Sequence, residues 1–294
     1  VQEALVVAQI AISFVLVSVA VLCGRQVALA AARDPGIDLD RLAIVQPDFW
    51  IRAFGPSPPP AWRVRRTCEQ ILSQVKHLPG VETAALSSGL PFGRTANPRG
   101  WVTVPERPFL PGLFPGGQAS ILLVSTPEVF RTLGVDLLRG RFFDSRDTQG
   151  TEPVAVICQL TASKVFGTTD PVGRHLLLRR QQWPSESPAG TQTLAVVGVV
   201  SDTDAEEIGY RSEAVVFLPF AQNYSVAMAV VARAADPQPL VEGMRTAVWK
   251  IDPEVAVSFA GTGPAAAEAE NLLLRGTARV SGLLGLAALL FSMG

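Results

Sequence analysis

An α+β domain built around a split ferredoxin-like unit, and flanked by membrane-spanning segments, is the fold class this sequence predicts. Three observations predict it. Two strand–helix–strand phrases with matching punctuation lie near the two ends of the polar part of the chain. A β-rich stretch separates them. The chain also opens and closes on apolar runs without a charge, residues 4–24 and 280–294.

The first run holds twenty-one residues. At a rise of about 1.5 Å per residue it reaches about 31 Å, enough to cross a hydrocarbon core of roughly 30 Å. A secretory signal peptide fits less well, because its apolar core is about 7–15 residues long and follows a basic stretch. A buried core helix fits poorly with so long an uncharged run. Gln9, Ser13 and Ser18 are the strongly polar side chains within it. They either face a neighbouring membrane helix or bond back to their own backbone. The second run stops at Gly294 and reads as a membrane helix cut short. With Val1 in place of a methionine, the expectation is a fragment of a longer chain. Arg25, Arg33 and Arg41 follow the first run, but long domains translocate largely regardless of charge, so they do not fix the orientation.

All 25 lysines and arginines lie between Arg25 and Arg279, and of the 26 acidic residues only Glu3 lies outside that span. The middle is therefore formally neutral and carries no electrostatic footprint for nucleic acid. A charged fraction of 17% with 23 prolines fits a loop-rich globular domain better than a disordered one.

Taken in order, Asp34-Pro35-Gly36 is a break, and residues 41–45 read as a strand. A proline-rich loop covers 56–60. The spacing of Val64, Cys68, Ile71, Leu72, Val75 and Leu78 predicts a helix over 62–78, closed by Pro79-Gly80 before a strand at 81–86. The second phrase has a strand at 226–232 and a helix at 240–251, with Leu240, Val241, Met244, Ala247, Val248 and Ile251 on one face. Asp252-Pro253-Glu254 ends it before a strand at 255–259. In both phrases the helix stops on a proline two residues before a strand valine, Pro79 before Val81 and Pro253 before Val255. Between them, strands are expected at 101–104, 119–124, 154–157, 175–178, 194–200 and 214–218. Short helices are expected at 127–133 and 160–166. Gly/Pro-rich loops fall at 89–100 and 105–118, and a polar loop at 181–192. Residues 261–270 lead back to the second apolar run.

Motifs that carry chemistry are missing. The dipeptide Gly-Lys does not occur, so there is no phosphate-cradling P-loop. Gly116-Gly117-Gln118 matches part of an ABC ATPase signature loop but lacks its Leu-Ser, and reads as a turn. His77 and His175 have no metal spacing, and His77 falls where a helix end can use its positive form. There is no G-x-S-x-G elbow. Asp202, Asp204, Glu206 and Glu207 are the best calcium candidates, but no EF-hand glycine or closing glutamate accompanies them, and a solvated loop is the better reading. Asp34, Asp38 and Asp40 receive the same reading. Cys68 and Cys158 fit two buried free thiols better than a bridge, and Cys23 sits at the membrane edge. No catalytic, cofactor-binding or metal-binding residue is assigned, and no cofactor is expected.

The ordered series of short phrases resembles a family. Leu5-Val6-Val7-Ala8-Gln9-Ile10-Ala11-Ile12-Ser13 followed by Asp34-Pro35-Gly36-Ile37-Asp38 resembles the start of a permease unit of the MacB/FtsX type. The likeness continues through Leu78-Pro79-Gly80-Val81-Glu82, Ser125-Thr126-Pro127-Glu128-Val129-Phe130 and Leu138-Arg139-Gly140-Arg141. Asp170-Pro171-Val172-Gly173, Val196-Val197-Gly198-Val199-Val200 and Phe217-Leu218-Pro219-Phe220 complete it. Within that family the chain most resembles the second half of the acidobacterial duplicated orphan permeases. It departs at Cys158-Gln159, where relatives usually carry Asn-Glu, and in a longer loop at 183–192.

The resemblance implies a unit of four membrane helices with a two-lobed extracytoplasmic domain between the first and second. The implied layout is membrane helix 1 at 1–25, a porter-like lobe at 26–124 and 225–262, and an inserted small α/β lobe at 125–224. A connector at 263–279 and the start of membrane helix 2 at 280–294 follow. It further implies a non-catalytic subunit of the bacterial inner membrane with its central domain periplasmic. The implied partners are a cytoplasmic ABC ATPase supplied by another chain, a second permease half or homologous permease, the lipid bilayer and a periplasmic adaptor protein. A membrane-tethered ligand-binding or sensor domain without transport is the alternative, and an anchored enzyme is the third reading, opposed by the missing catalytic motifs.

Overall fold

The two strand–helix–strand phrases come together in one sheet. The computed structural model describes residues 14–15, 18–19, 21–22, 25, 37–49, 60–89, 99–110, 116–180, 190–202, 214–223 and 225–269. In chain order the elements are β1 (Leu42–Asp48), α1 (Ala61–Lys76), β2 (Thr83–Ser87), β3 (Arg99–Thr103), β4 (Gln118–Ser125), α2 (Val129–Leu133), β5 (Leu137–Gly140), β6 (Val154–Cys158), α3 (Gln159–Thr161), β7 (His175–Arg180), β8 (Thr191–Val200), β9 (Ala214–Pro219), β10 (Ala229–Arg233), α4 (Leu240–Ile251) and β11 (Ala256–Thr262). A π-helical turn, Ala162–Phe166, continues α3.

β11, β1, β10 and β2 lie side by side in that order, each antiparallel to its neighbour. This is the ferredoxin-like order expected of two strand–helix–strand units that interleave. The helix periodicity explains the layer above the sheet. Val64, Cys68, Ile71, Leu72 and Val75 form the buried stripe of α1, and Met244 and Val248 belong to that of α4. They share one apolar cluster with Ala43, Val45, Ala84, Leu86, Val230 and Ala232 from one face of the sheet. The other face, through Leu42, Ile44, Ala85 and Val231, clusters with Val129, Phe130 and Leu133 of α2. α1 stops at Lys76, two residues before the expected end. His77 caps it, donating its backbone N–H to the Gln74 and Val75 carbonyls.

The insertion closes on itself. β4 pairs with β3, β3 with β7, β7 with β8, β8 with β6, β6 with β9, and β9 again with β4. The β4–β9 and β6–β8 pairs are parallel and the rest antiparallel. Closure leaves these six strands without a free edge. Residues of one parity from all six strands, among them Val102, Leu122, Ile157, Leu178, Leu194 and Val216, form the interior. The opposite parity of β4, β6 and β9 contributes Leu123, Val156 and Phe217 to the cluster under α2. β3 and β4, at residues 99–103 and 118–125, hydrogen-bond to β7 and β9 from the later part of the chain.

β5 is the strand that the sequence pattern does not announce. All its residues are exposed, so it has no apolar alternation, and it pairs only with β8. The pairing relies on two glycines that face each other, Gly140 and Gly198. A Cβ on Gly198 would stand 2.1 Å from the Arg141 carbonyl oxygen, and Gly140 takes φ 72°.

The segment after β5 is held by Asp147, which is 4% exposed. Arg141 donates from Nη1 to Asp147 Oδ2 at 2.7 Å and from Nη2 to Oδ1 at 2.9 Å, and the Asp144 backbone N–H donates at 2.8 Å. The Arg141 fork, followed by that backbone bond, holds the Asp147 carboxyl below its usual range against the opposing cost of burial. A depressed carboxyl stabilises the fold fully above its unfolded pKa of about 3.9, and the contribution is lost as pH falls through the folded value. Asp147→Asn should therefore cost about 1–2 kcal/mol at neutral pH. The gap between variant and wild type should narrow below about pH 4 in urea titrations. A gap that stays constant with pH would contradict this assignment.

Residues 35–266 form one compact unit, and the segments 1–34 and 267–294 fall outside it. Its two ends meet. Ala43 of β1 pairs with Thr262 of β11, and Gly263 lies so close to Leu39 that a Cβ would stand 2.3 Å from the Leu39 carbonyl oxygen. The expected membrane helix at 280–294 lies outside the described residues. So does most of the run at 4–24. Within it, Phe14, Val15, Ser18, Val19, Val21 and Leu22 are described and helical, and Phe14, Val15, Val19, Val21 and Leu22 are exposed. Among the described residues no helix is long and apolar enough to cross a membrane.

Candidate functional site at the mouth of the ring

The ring interior and the α1 side of the sheet belong to one apolar cluster, which continues through Phe220. Phe220 begins a tight turn after β9. The backbone N–H groups of Gln222 and Asn223 both donate to the Pro219 carbonyl at 3.0 Å, and Asn223 Nδ2 donates to the same oxygen at 3.0 Å. Three carbonyls of the turn are taken up by Arg65 of α1. Its Nη1 donates to Phe220 O at 2.8 Å and Ala221 O at 3.1 Å, and its Nη2 to Asn223 O at 3.1 Å. The guanidinium also lies 5.0 Å over the Phe220 ring.

The same turn grips the ring from the other side. Gln222 Oε1 accepts the Val154 N–H at the start of β6 at 3.0 Å, and Gln222 Nε2 donates to Glu152 O at 2.9 Å. Asn223, 5% exposed, accepts at Oδ1 from Arg180 Nη2 at 2.5 Å. Arg180 continues the inward parity of Leu176 and Leu178 on β7, and Gln192 that of Leu194 and Val196 on β8. Arg180 Nη2 reaches Gln192 Oε1 at 3.5 Å. Burial pushes the Arg180 guanidinium down to about 10. The arrangement holds no nucleophile paired with a base. Its chemistry is that of a joint: one five-residue turn fastened by charged and amide side chains to α1, β6 and β7.

The residues singled out from the sequence fall elsewhere. Asp202 Oδ1 accepts the Leu160 N–H at 2.7 Å and so caps α3, while Asp204, Glu206 and Glu207 lie outside the described residues. Among the described residues no group of three or more His, Cys, Asp or Glu side chains is placed to hold a metal. Asp38 pairs with Arg233 at 2.5 Å, and Asp34 lies outside the described residues. His77 Nδ1 is 2.6 Å from the Ser73 carbonyl oxygen, and His175 Nε2 is 3.0 Å from Glu152 Oε1. Cys68 and Cys158 are both free and buried, and Cys23 lies outside the described residues. Burial pushes the Cys68 thiol up to about 12 and raises that of Cys158. Gly116 and Gly117 take φ 73° and 85° just before β4. Arg65, Asn223 and Arg180 are not visible as a group in the sequence. The one available signal is Arg180, a charge at an inward position of an alternating strand.

Comparison with known families assigns the class, a permease of the MacB/FtsX type. The model of the MacB-like periplasmic core domain matches residues 4–247, and the chain belongs to that family. It is 34% identical over 94 residues to the macrolide export ATP-binding/permease protein MacB 2 of Aeromonas hydrophila subsp. hydrophila. That stretch is 32% of this chain and 12% of the relative, so the chain spans only a small part of that protein's length. Among solved structures, the periplasmic region of MacB from Actinobacillus actinomycetemcomitans aligns with a TM-score of 0.48 at 12% identity, covering 82% of this chain and 97% of that one. The extracellular domain of the noncanonic ABC-type transporter YknZ from Gram-positive bacteria aligns at 0.41 and 16%, covering 62% and 80%.

Proposed function

We propose that this chain supplies the extracytoplasmic domain of a non-catalytic permease subunit in a MacB/FtsX-like ABC system of the bacterial inner membrane, akin to the acidobacterial duplicated orphan permeases. In this reading it relays ATP-driven motion to the export or extraction of a cargo. The family match over residues 4–247 carries the proposal. The meeting of the unit's two ends at the β1–β11 edge supports it. Residues 4–24 and 280–294 would then enter the bilayer as the two helices that flank the domain, and the exposed apolar side chains of Phe14, Val15 and Val21 suit a lipid surround.

The relay is a rigid-body one. The moving bodies in this proposal are the ferredoxin-like unit and the ring. Because β3 and β4 pair with β7 and β9 of the ring, this proposal sets the boundary between the two bodies after β2, where Ser87 pairs with Ser125 of β4. A shift of the first membrane helix reaches β1 and then α1, and Arg65 passes it through the turn at 219–223 to β6 and β7. The ATPase is supplied by another chain, and a second permease half and a periplasmic adaptor complete the assembly. A fluorescent ATP analogue should bind the assembled complex and show no saturable binding to this chain alone. Saturable nucleotide binding by the purified chain would overturn the proposal.

A further inference from the structure

We propose that the mouth of the ring is a binding site for an anionic group with two acceptor oxygens, a carboxylate or a phosphate, held by the Arg180 guanidinium. The inward stripe of β7 runs Leu176, Leu178, Arg180, so a charge stands where the strand's pattern calls for an apolar residue. Across the ladder its partner is Gly100, which offers no side chain to cover it.

Among the described residues Arg180 meets only neutral oxygens, Asn223 Oδ1 and Gln192 Oε1, both through Nη2. Among the described residues its Nε and Nη1 donors meet no acceptor, and a guanidinium always carries its charge. A second guanidinium, Arg65, bonds to the backbone oxygen of the same Asn223, again without a carboxylate partner among the described residues. Two cations thus converge on one buried asparagine with no counter-charge among the described groups around them. Folds rarely leave a partly buried charge uncompensated, and the planar fork of an arginine matches a carboxylate or a phosphate edge to edge. Asn223 and Gln192 hold the fork by its Nη2 side, and in this proposal the Nε and Nη1 side takes the anion. The site does not depend on the relay described above, since it needs only the ring and α1.

The test is thermal unfolding of the full chain in detergent, titrated with sodium phosphate or sodium acetate against sodium chloride at matched ionic strength. At an anion concentration about fifty times a millimolar Kd, the midpoint should rise by roughly 5 °C above the chloride control. Arg180→Gln should lose that rise, and Arg63→Gln, on the exposed side of α1, should keep it. Phosphate acting where acetate does not assigns a phosphate-bearing ligand, the reverse assigns a carboxylate, and an equal effect supports the two-oxygen anion site for both. No rise above chloride, or an equal rise in Arg180→Gln, overturns the proposal. Should Arg180→Gln fail to fold, the Nε–Hε resonance of Arg180 in the wild-type chain decides. It should move in a saturable way with the binding anion, and an unmoved resonance is equally fatal.

Discussion

Phe130→Ala should lower the free energy of unfolding by about 3–5 kcal/mol, among the larger losses expected of a single substitution in this chain. Phe130 is 1% exposed. Its ring stacks on Phe142 at 4.4 Å and meets Phe143 at 5.0 Å and Phe217 at 5.1 Å. These partners come from the segment after β5 and from β9 of the ring, while Leu42 and Val231 of the ferredoxin-like sheet share the cluster. Removing the ring therefore opens a cavity where two sheet surfaces and α2 converge, and the large rigid neighbours cannot collapse into it cheaply. Urea titration should show a lower midpoint with an unchanged slope. Phe130→Leu, which refills most of the volume, should cost clearly less. A loss under about 1 kcal/mol for the alanine variant would mean that this cluster is not a core.

Arg65→Ala should have the second largest effect, and a different one. Arg65 makes three charge-assisted bonds to a turn more than 150 residues away in sequence. Each is worth about 1.5–3 kcal/mol at most, and partial exposure reduces the sum, so a stability loss of about 2–3 kcal/mol is expected. Local opening should exceed this global change. Amide exchange of residues 220–223 should accelerate by at least about tenfold, because the turn loses its clamp to α1. In the assembled complex the proposal expects ATP hydrolysis to continue while the output at the extracytoplasmic side falls. Arg65→Lys should recover charge but not the fork, since an ammonium reaches fewer of the three carbonyls, and should restore little of the output. Full output from Arg65→Ala would remove the turn from the relay.

The ferredoxin-like half was legible because its signals are local. Val64 to Val75 repeat with helical spacing, and Pro79 and Pro253 mark where each helix must stop before a strand. β6, β8 and β9 were legible as apolar runs because both of their faces are covered, inside by the ring core and outside by the cluster under α2. Closure of the ring was not legible. It depends on the parallel β4–β9 pairing between strands some ninety residues apart, and no local pattern encodes a partner at that distance. β5 was missed because its register is set by backbone approach at Gly140 and Gly198 rather than by side-chain alternation. The joint was missed for a similar reason. Arg65 reads as one more charge on the polar side of an amphipathic helix, and its purpose appears only when β9 delivers the 219–223 turn beside it.

Placement of the 35–266 unit outside the cytoplasm is the claim on which the relay rests, and site-directed labelling tests it most directly. Arg139 is an exposed residue of β5, so Arg139→Cys offers an accessible thiol, whereas Cys68 and Cys158 are buried with raised thiol pKa values and should stay silent. In membranes from cells expressing the full chain with Cys23 replaced by serine, a membrane-impermeant maleimide should label Arg139→Cys in right-side-out vesicles and not in sealed inverted ones. Labelling confined to inverted vesicles would place the domain in the cytoplasm and contradict the account.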